Sequence, residues 1–489
     1  MKFLSSYIGF LNPRTPRGLA FLVAASLLAL LTSCGGDHAT VAPPTTGTVV
    51  QVNMGDAPVD WLLSFSMNVT SMTLTPASGS AISVTPTATP VEMIHRLGIM
   101  EPVSVISVPK GTYSGASLTI GSCNLTYIDP TTKKQMQTKI NGPFNASIPF
   151  GSNTTVGDTP LTFNFDLDLE HSLTTDGSGA FQFAPVFHMS LGSQSGTGNG
   201  SGNGASVNAR NGGMYQMMGI VSAVSSNSFS ITPHQAANTF TYQISNETRF
   251  QGRIAQMAQL GTGMGVMVTA RMQSDGSLLA TNVRATMSAG GAMGGGIVTS
   301  VTPPTGQPAT AFAIVMQNGA GASINTDYLS KTVTVNVTDT TTFEIDTDRV
   351  SLSGLPFEPV FDRSNINVGQ SVLPFSESDL VASTTACDTA GTSCGTLTAS
   401  TVRLREQGFR GTTDVAINPG TSTTFTLTLM PDCAFTALTG ATEILVYQQT
   451  ATNVEDNTAI PAGATLRVHG LLFNNGGQWV LIASTIASS

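Results

Sequence analysis

Charge is scarce in this chain: Asp, Glu, Lys and Arg make up 10% of its 489 residues, and aromatic residues only 7%. Hydroxyl and amide side chains must therefore do the surface work that charges usually do, which is the habit of exported β-proteins rich in turns. Helical periodicity is missing too. No segment from 40 to 489 repeats apolar residues at a capped 3.6-residue spacing, so helices should be few and short. Positive charge is the scarcer sign, with 20 Lys and Arg against 29 Asp and Glu, and this disfavours nucleic acid as a partner. The six histidines are scattered, and no His/Cys set has the spacing of a zinc site. No cofactor is expected.

What is present is period-two alternation. "TVVQVNM", "LLSFSMNVTSMTL", "YSGASLTIGS", "LTFNFDLDL" and "FQFAPVFHM" alternate apolar with polar or small residues between Gly, Pro and Asn turns. Regular short strands of this kind predict an all-β fold that begins with a β-sandwich.

The N-terminus carries an address. Lys2, Arg14 and Arg17 precede the apolar run "GLAFLVAASLLALL", which is too short to span a bilayer but suits a signal peptide. The run ends in "LTSC", which resembles the bacterial lipobox. That resemblance implies a signal peptide over 1–33, a lipid on Cys34, a polar tether over 34–46, and sorting to the outer membrane because Gly35 follows. Loss of the three basic residues of the signal leaves a mature net charge of −12.

Beyond the tether, "VVQVNMGDAPVDWLLSFSMNVTSMTLTP", "PKGTYSGASLTI", "LTFNFDLDLEHSL" and "FQFAPVF" resemble an uncharacterised N-terminal domain family of bacterial lipoproteins marked by an Asp-Ala-Pro motif. The resemblance implies a transthyretin-like or immunoglobulin-like sandwich over 47–190, with no activity attached. Residues 191–213 read as a Gly/Asn/Ser linker, and 288–295 as a second, glycine-rich one.

A repeat follows. "GIVSAV" at 219 recurs as "GIVTSV" at 296, "FTYQISNETRF" at 240 aligns on "VTVNVTDTTTF" at 333, and "LLATNVRA" at 278 aligns on "LTASTVRL" at 397. Three ordered matches make a repeat. The offsets grow from 77 to 93 to 119 residues, so the second copy carries insertions of 16 and 26. A third, degenerate copy follows from 411. The first copy resembles an uncharacterised family of secreted bacterial repeats similar to oligonucleotide/oligosaccharide-binding (OB) barrels, which implies barrels over 214–287, 296–410 and 411–489.

Several residue sets invite chemistry. Cys387 and Cys394 bracket a turn-rich loop and can close a small disulfide ring; whether Cys123 and Cys433 pair is open. Asp166, Asp168 and Glu170 alternate along one predicted strand, offering oxygen ligands to Ca²⁺ or simply facing solvent. "GTSCG" around Ser393 fits the nucleophile-elbow pattern, but its flanks are a loop and a strand where the elbow needs a strand and a helix. Methionines crowd the first barrel and can bind copper or fill gaps. Arg249, Arg253 and Arg271, with Tyr242 near them, make that barrel the only locally basic one.

The functional expectation is a non-catalytic, lipid-anchored envelope protein that is adhesive, structural or ligand-presenting. Its partners would be the membrane and either a glycan or an envelope protein, with no nucleic acid. The alternatives are a polysaccharide-binding protein using the arginine-bearing face, a hydrolase with an unrecognised site, and a copper-binding protein.

Overall fold

The computed structural model describes residues 47–488 except Pro58, Pro86, 97–99, Pro130, 193–212, 304–306, 325–327, Ala386 and 388–390. The segments expected to be signal peptide (1–33) and tether (34–46, with Cys34), and nearly all of the 191–213 tract, lie outside the described residues. Strand accounts for 60% of the described residues and helix for 5%, so the fold is all-β as composition and alternation predict.

Residues 47–192 form two sheets on one core. In the first sheet, Phe187–Gly192 pairs antiparallel with Leu161–Asp168, which runs parallel to Gly47–Ala57, itself antiparallel to Glu101–Pro109. In the second, Leu62–Pro76, Gly111–Ile128 and Gln135–Val156 are antiparallel, with Ile82–Ser83 and Thr89–Glu92 along the free side of Leu62–Pro76. Val52, Met54, Phe163 and Phe165 from one sheet meet Phe65, Met67, Leu118 and Ile120 from the other. Each such side chain stabilises the fold by about 1.5–3 kcal/mol on burial. Alternation puts polar residues on the far side of the second sheet, where Ser66, Asn124 and Lys139 lie abreast on three neighbouring strands.

One pairing cycle then recurs. Gly213–Val224, Ser228–Pro233 and Phe240–Gln243 are successive antiparallel neighbours. Phe240–Gln243 lies parallel to Leu278–Met287, which pairs with Gly265–Met272, which returns to Gly213–Val224. Gln407–Thr413, Thr423–Leu429, Glu443–Val454, Gln478–Ser488 and Thr465–Asn475 close a barrel in the same order, with the same parallel pair. Between them, Ala292–Thr302, Ala311–Gly321 and Thr332–Asn336 follow the same path. The interrupted pair Ser393–Thr398 and Thr401–Leu404 takes the role of the fifth strand, and Ser371–Ser376 completes the circuit.

The glycine-rich tract over 288–295 corrects a sequence expectation. It is not a free linker: after a turn closed by Gly291 N–H donating to Ser288 O, strand Ala292–Thr302 begins, with Ala292 and Met293 fully buried. A Cβ on Gly294 would lie 2.5 Å from Met316 Cε, and one on Gly296 would lie 2.0 Å from the Val315 carbonyl oxygen. Glycine here allows backbones to approach, a use that composition alone does not distinguish from flexibility.

Nor are the modules a string of separate units. The described residues fall in one compact unit, Thr46–Ser489. Met267, Met287, Met293, Leu373 and Phe375 form an apolar cluster between the 213–287 ring and the 292–404 sheet. Ser330 Oγ sits 2.8 Å from Ser64 Oγ and 2.9 Å from Ser66 Oγ, bringing the 292–404 region onto the polar face of the second sheet.

Candidate functional site

Where the modules meet, a cavity of about 130 Å³ is lined by Asp60, His95 and Glu101 from the 47–192 region, Gln216, Asp346, Arg349 and Glu406 from the middle of the chain, and Cys433 and His469 near its end. In a chain so short of charge, this gathering is the outstanding chemical feature.

Its first wall is local. Strand Thr89–Glu92 ends in the single 3-10 turn Ile94–Arg96, and Glu92 caps that turn. The fully buried Glu92 carboxylate accepts from Ser64 Oγ (2.9 Å), Phe65 N (3.0 Å), Ile94 N (3.2 Å) and His95 N (2.9 Å), and its Oε2 lies 2.7 Å from His95 Nδ1. The far side of the ring, Nε2, is 3.1 Å from Glu101 Oε2, and Arg96 NH2 is 3.3 Å from the same oxygen. Burial opposes the charge on His95, but Glu101 and Glu92 outweigh it and raise the imidazole above its ordinary value. Burial would likewise raise Glu101; His95 and Arg96 override it and hold the carboxyl down at about 2. Two anions and two cations thus neutralise one another, three of them out of water and Glu101 at its edge, and the network is fully stabilising only while all four are present.

The same wall reaches other modules through amides. Gln235 Oε1 accepts from Glu92 N (2.7 Å), Gln235 Nε2 donates to Gln317 O (2.9 Å), and Gln317 Nε2 donates to Leu63 O (2.8 Å). Each buried donor is satisfied by a neighbouring module.

Opposite lies a second set. Gln216, in a bulge of Gly213–Val224, has the left-handed backbone φ of 46° and donates through Nε2 to Asp346 Oδ2 at 2.8 Å. That conformation costs a non-glycine residue about 1 kcal/mol. Glu406 accepts from Arg349 NH1 (3.2 Å) and Ser484 Oγ (2.6 Å). Burial raises its pKa and Asp346 adds to that, against the pull of Arg349. Buried Cys433 is a free thiol pushed up to about 11, chiefly by burial. Cys123 is also free and buried, so the two do not form a disulfide; Cys387 and Cys394 do, with Cα atoms 4.9 Å apart.

Asp60 gives the cavity a titration near neutrality. Burial pushes its carboxyl from 3.8 to about 6 against the attraction of Arg410 and Arg467. An acid with a raised folded pKa holds its proton more tightly folded than unfolded, so the protein loses stability as pH rises from about 4 through 6. Asp60→Asn should abolish this loss. In urea unfolding at a series of pH values, the variant should gain about 2 kcal/mol on wild type between pH 4 and 7, partial solvation included; a gap that does not change with pH would contradict the assignment.

The residues singled out in the sequence lie elsewhere. Tyr242 is a correction: its side chain is fully buried, stacked at 5.4 Å on Phe229, with its hydroxyl 3.4 Å from Met214 Sδ. It sits on the inward face with Phe240 and is no surface aromatic. Arg253 pairs with Glu377, and Arg271 NH2 lies 3.5 Å from Glu247, so much of the expected basic face is neutralised; Arg249 remains exposed. The carboxylate row is corrected as well. Strand Leu161–Asp168 stops where Asp168 caps the helical turn Leu169–Ser172, so Glu170 leaves the strand face and lies 3.6 Å from Arg410. Asp168 is held by His171 at 2.8 Å, and among the described residues no three His, Cys, Asp or Glu side chains are grouped to hold a metal. Ser393 opens strand Ser393–Thr398 and donates to Gly395 O.

The junction residues were missed, although "EMIHRLGIME" places four charges within ten residues of a charge-poor chain. Residues 218–284 match a family described as a domain of unknown function (DUF5666). That span covers most of the 213–287 ring. No curated protein matches the chain.

Proposed function

We propose that this chain is a non-catalytic protein of the bacterial cell envelope, held in the outer membrane by a lipid on Cys34, whose β modules act as one rigid body that presents an adhesive or ligand-binding surface. The observation carrying this reading is how the buried polar groups are used. Glu92, His95, Arg96 and Glu101 neutralise one another, while Gln235 and Gln317 tie their wall to two further modules. Groups so engaged fix how modules sit together rather than standing ready for a substrate.

Two finer readings belong to the same proposal. The 214–287, 296–410 and 411–489 segments are copies of one OB-like module, supported by their common pairing cycle and, for the first, by the family match. Residues 47–190 are the sandwich of the Asp-Ala-Pro lipoprotein family, supported by their two sheets on one core.

Cys34→Ala tests the anchor. The variant should leave the membrane fraction for the soluble one, and continued detergent-dependent fractionation would contradict it. Polysaccharide recognition is the second reading. The observation favouring it is a lysine-bearing groove on the 47–192 region, not the arginine-bearing face around Tyr242.

A further inference from the structure

We infer that the polar side of the second sheet, where the 292–404 region leans over it, is a binding groove for an anionic saccharide. The groove measures about 520 Å³ and its floor is set by strand register: Ser66 and Asn68 on Leu62–Pro76, Ser122 and Asn124 on Gly111–Ile128, and Lys139 on Gln135–Val156. Lys331 forms the opposite wall. That wall is fixed in place, because Ser330 bonds to Ser66 Oγ and Gln135 Nε2 donates to Thr332 Oγ1 at 2.8 Å.

Three properties select the ligand. The side chains of Asn68, Ser122 and Asn124 make no hydrogen bond within the described structure, leaving paired donors and acceptors in a row that suits the hydroxyls of a sugar. The lining contains no carboxylate, and its exposed lysine, Lys139, attracts an acidic group although the chain as a whole carries net charge −9; Lys331 is already engaged, its Nζ 4.0 Å from Cys387 Sγ. Lysine is rare in this sequence, and Lys133, Lys134, Lys139 and Lys331 all lie on the Gly111–Val156 hairpin or against it. Asp129, the acid of that hairpin turn, is bonded to Thr131 N and Thr132 N. The lining offers no aromatic platform on which nucleic-acid bases would stack. A volume of this size falls within the usual range for small-ligand sites.

The inference rests on the ligand-presenting reading and gives that reading a ligand class. Titration calorimetry of the full-length protein in detergent uses three probes: tetragalacturonate, a sulfated disaccharide and neutral maltotetraose. At least one acidic probe should bind, with maltotetraose at least about tenfold weaker, and Lys139→Gln should weaken the acidic probe by about tenfold. Lys139 is exposed, so the variant should keep the wild-type unfolding midpoint; Arg271→Ala should leave affinity unchanged. Absence of binding by both acidic probes, equal binding of the neutral one, or unchanged affinity in Lys139→Gln would overturn the groove while leaving the anchored, non-catalytic reading intact. Chromatography of the recovered saccharide separates the two claims: a bound but shortened chain supports the groove and defeats the non-catalytic reading.

Discussion

Replacing Glu92 with alanine is expected to lower the unfolding free energy by about 4 kcal/mol. The truncation removes the acceptor for Ser64 Oγ, Phe65 N, Ile94 N and His95 N together. Buried donors left without a partner cost about 1–3 kcal/mol each, and relaxation recovers only part of that. His95 simultaneously loses one of the two carboxylates that hold its charge. Glu92→Gln keeps the shape but turns an amide N–H₂ toward donors, so it should lose about half as much. Urea unfolding at pH 7 measures both. A loss below about 1 kcal/mol for Glu92→Ala would mean that water replaces the carboxylate and that the junction is not closed.

Gly296→Ala is the second such replacement. The new Cβ would stand 2.0 Å from the carbonyl oxygen of Val315, which is backbone on the adjacent paired strand and cannot swing aside. The ladder between Ala292–Thr302 and Ala311–Gly321 would have to open, at a cost of about 3 kcal/mol or more. Gly290, six residues earlier, has open space around its Cβ position and a φ of +86°, so alanine there should cost only the strain of that backbone, about 1 kcal/mol. Thermal unfolding of the two variants measures the difference, and equal midpoints would contradict the close approach at Gly296.

The sequence carried the strands because alternation is local. "LTFNFDLDL" becomes Leu161–Asp168 with Phe163, Phe165 and Leu167 in the core. The same rule fails one residue later, because Asp168 can cap a turn as readily as continue a strand, and with it goes the carboxylate row that included Glu170. Tyr242 was legible as buried: it shares a strand face with Phe240, and the aligned copy has valine at both positions. Gly294 was not legible, because glycine means freedom in a linker and close approach in a sheet. The junction lay further out of reach. Glu92, His95, Arg96 and Glu101 are neighbours in sequence, but Gln216, Asp346 and Glu406 reach them only through the packing of modules, which no local pattern encodes.

The central claim is that the described chain is one cooperative body, and its two tryptophans allow that to be tested directly. Trp61 lies in the 47–192 region, against Tyr127 and Phe181; Trp479 lies in the 407–488 barrel, 5.0 Å from Phe435. Trp479→Phe and Trp61→Phe leave one fluorescent reporter at each end of the chain. Urea unfolding followed by each reporter and by far-ultraviolet circular dichroism should give coincident transitions with one midpoint per variant. A first module that unfolds at a lower denaturant concentration than the last, seen as separated tryptophan and dichroism transitions within a variant, would contradict the account.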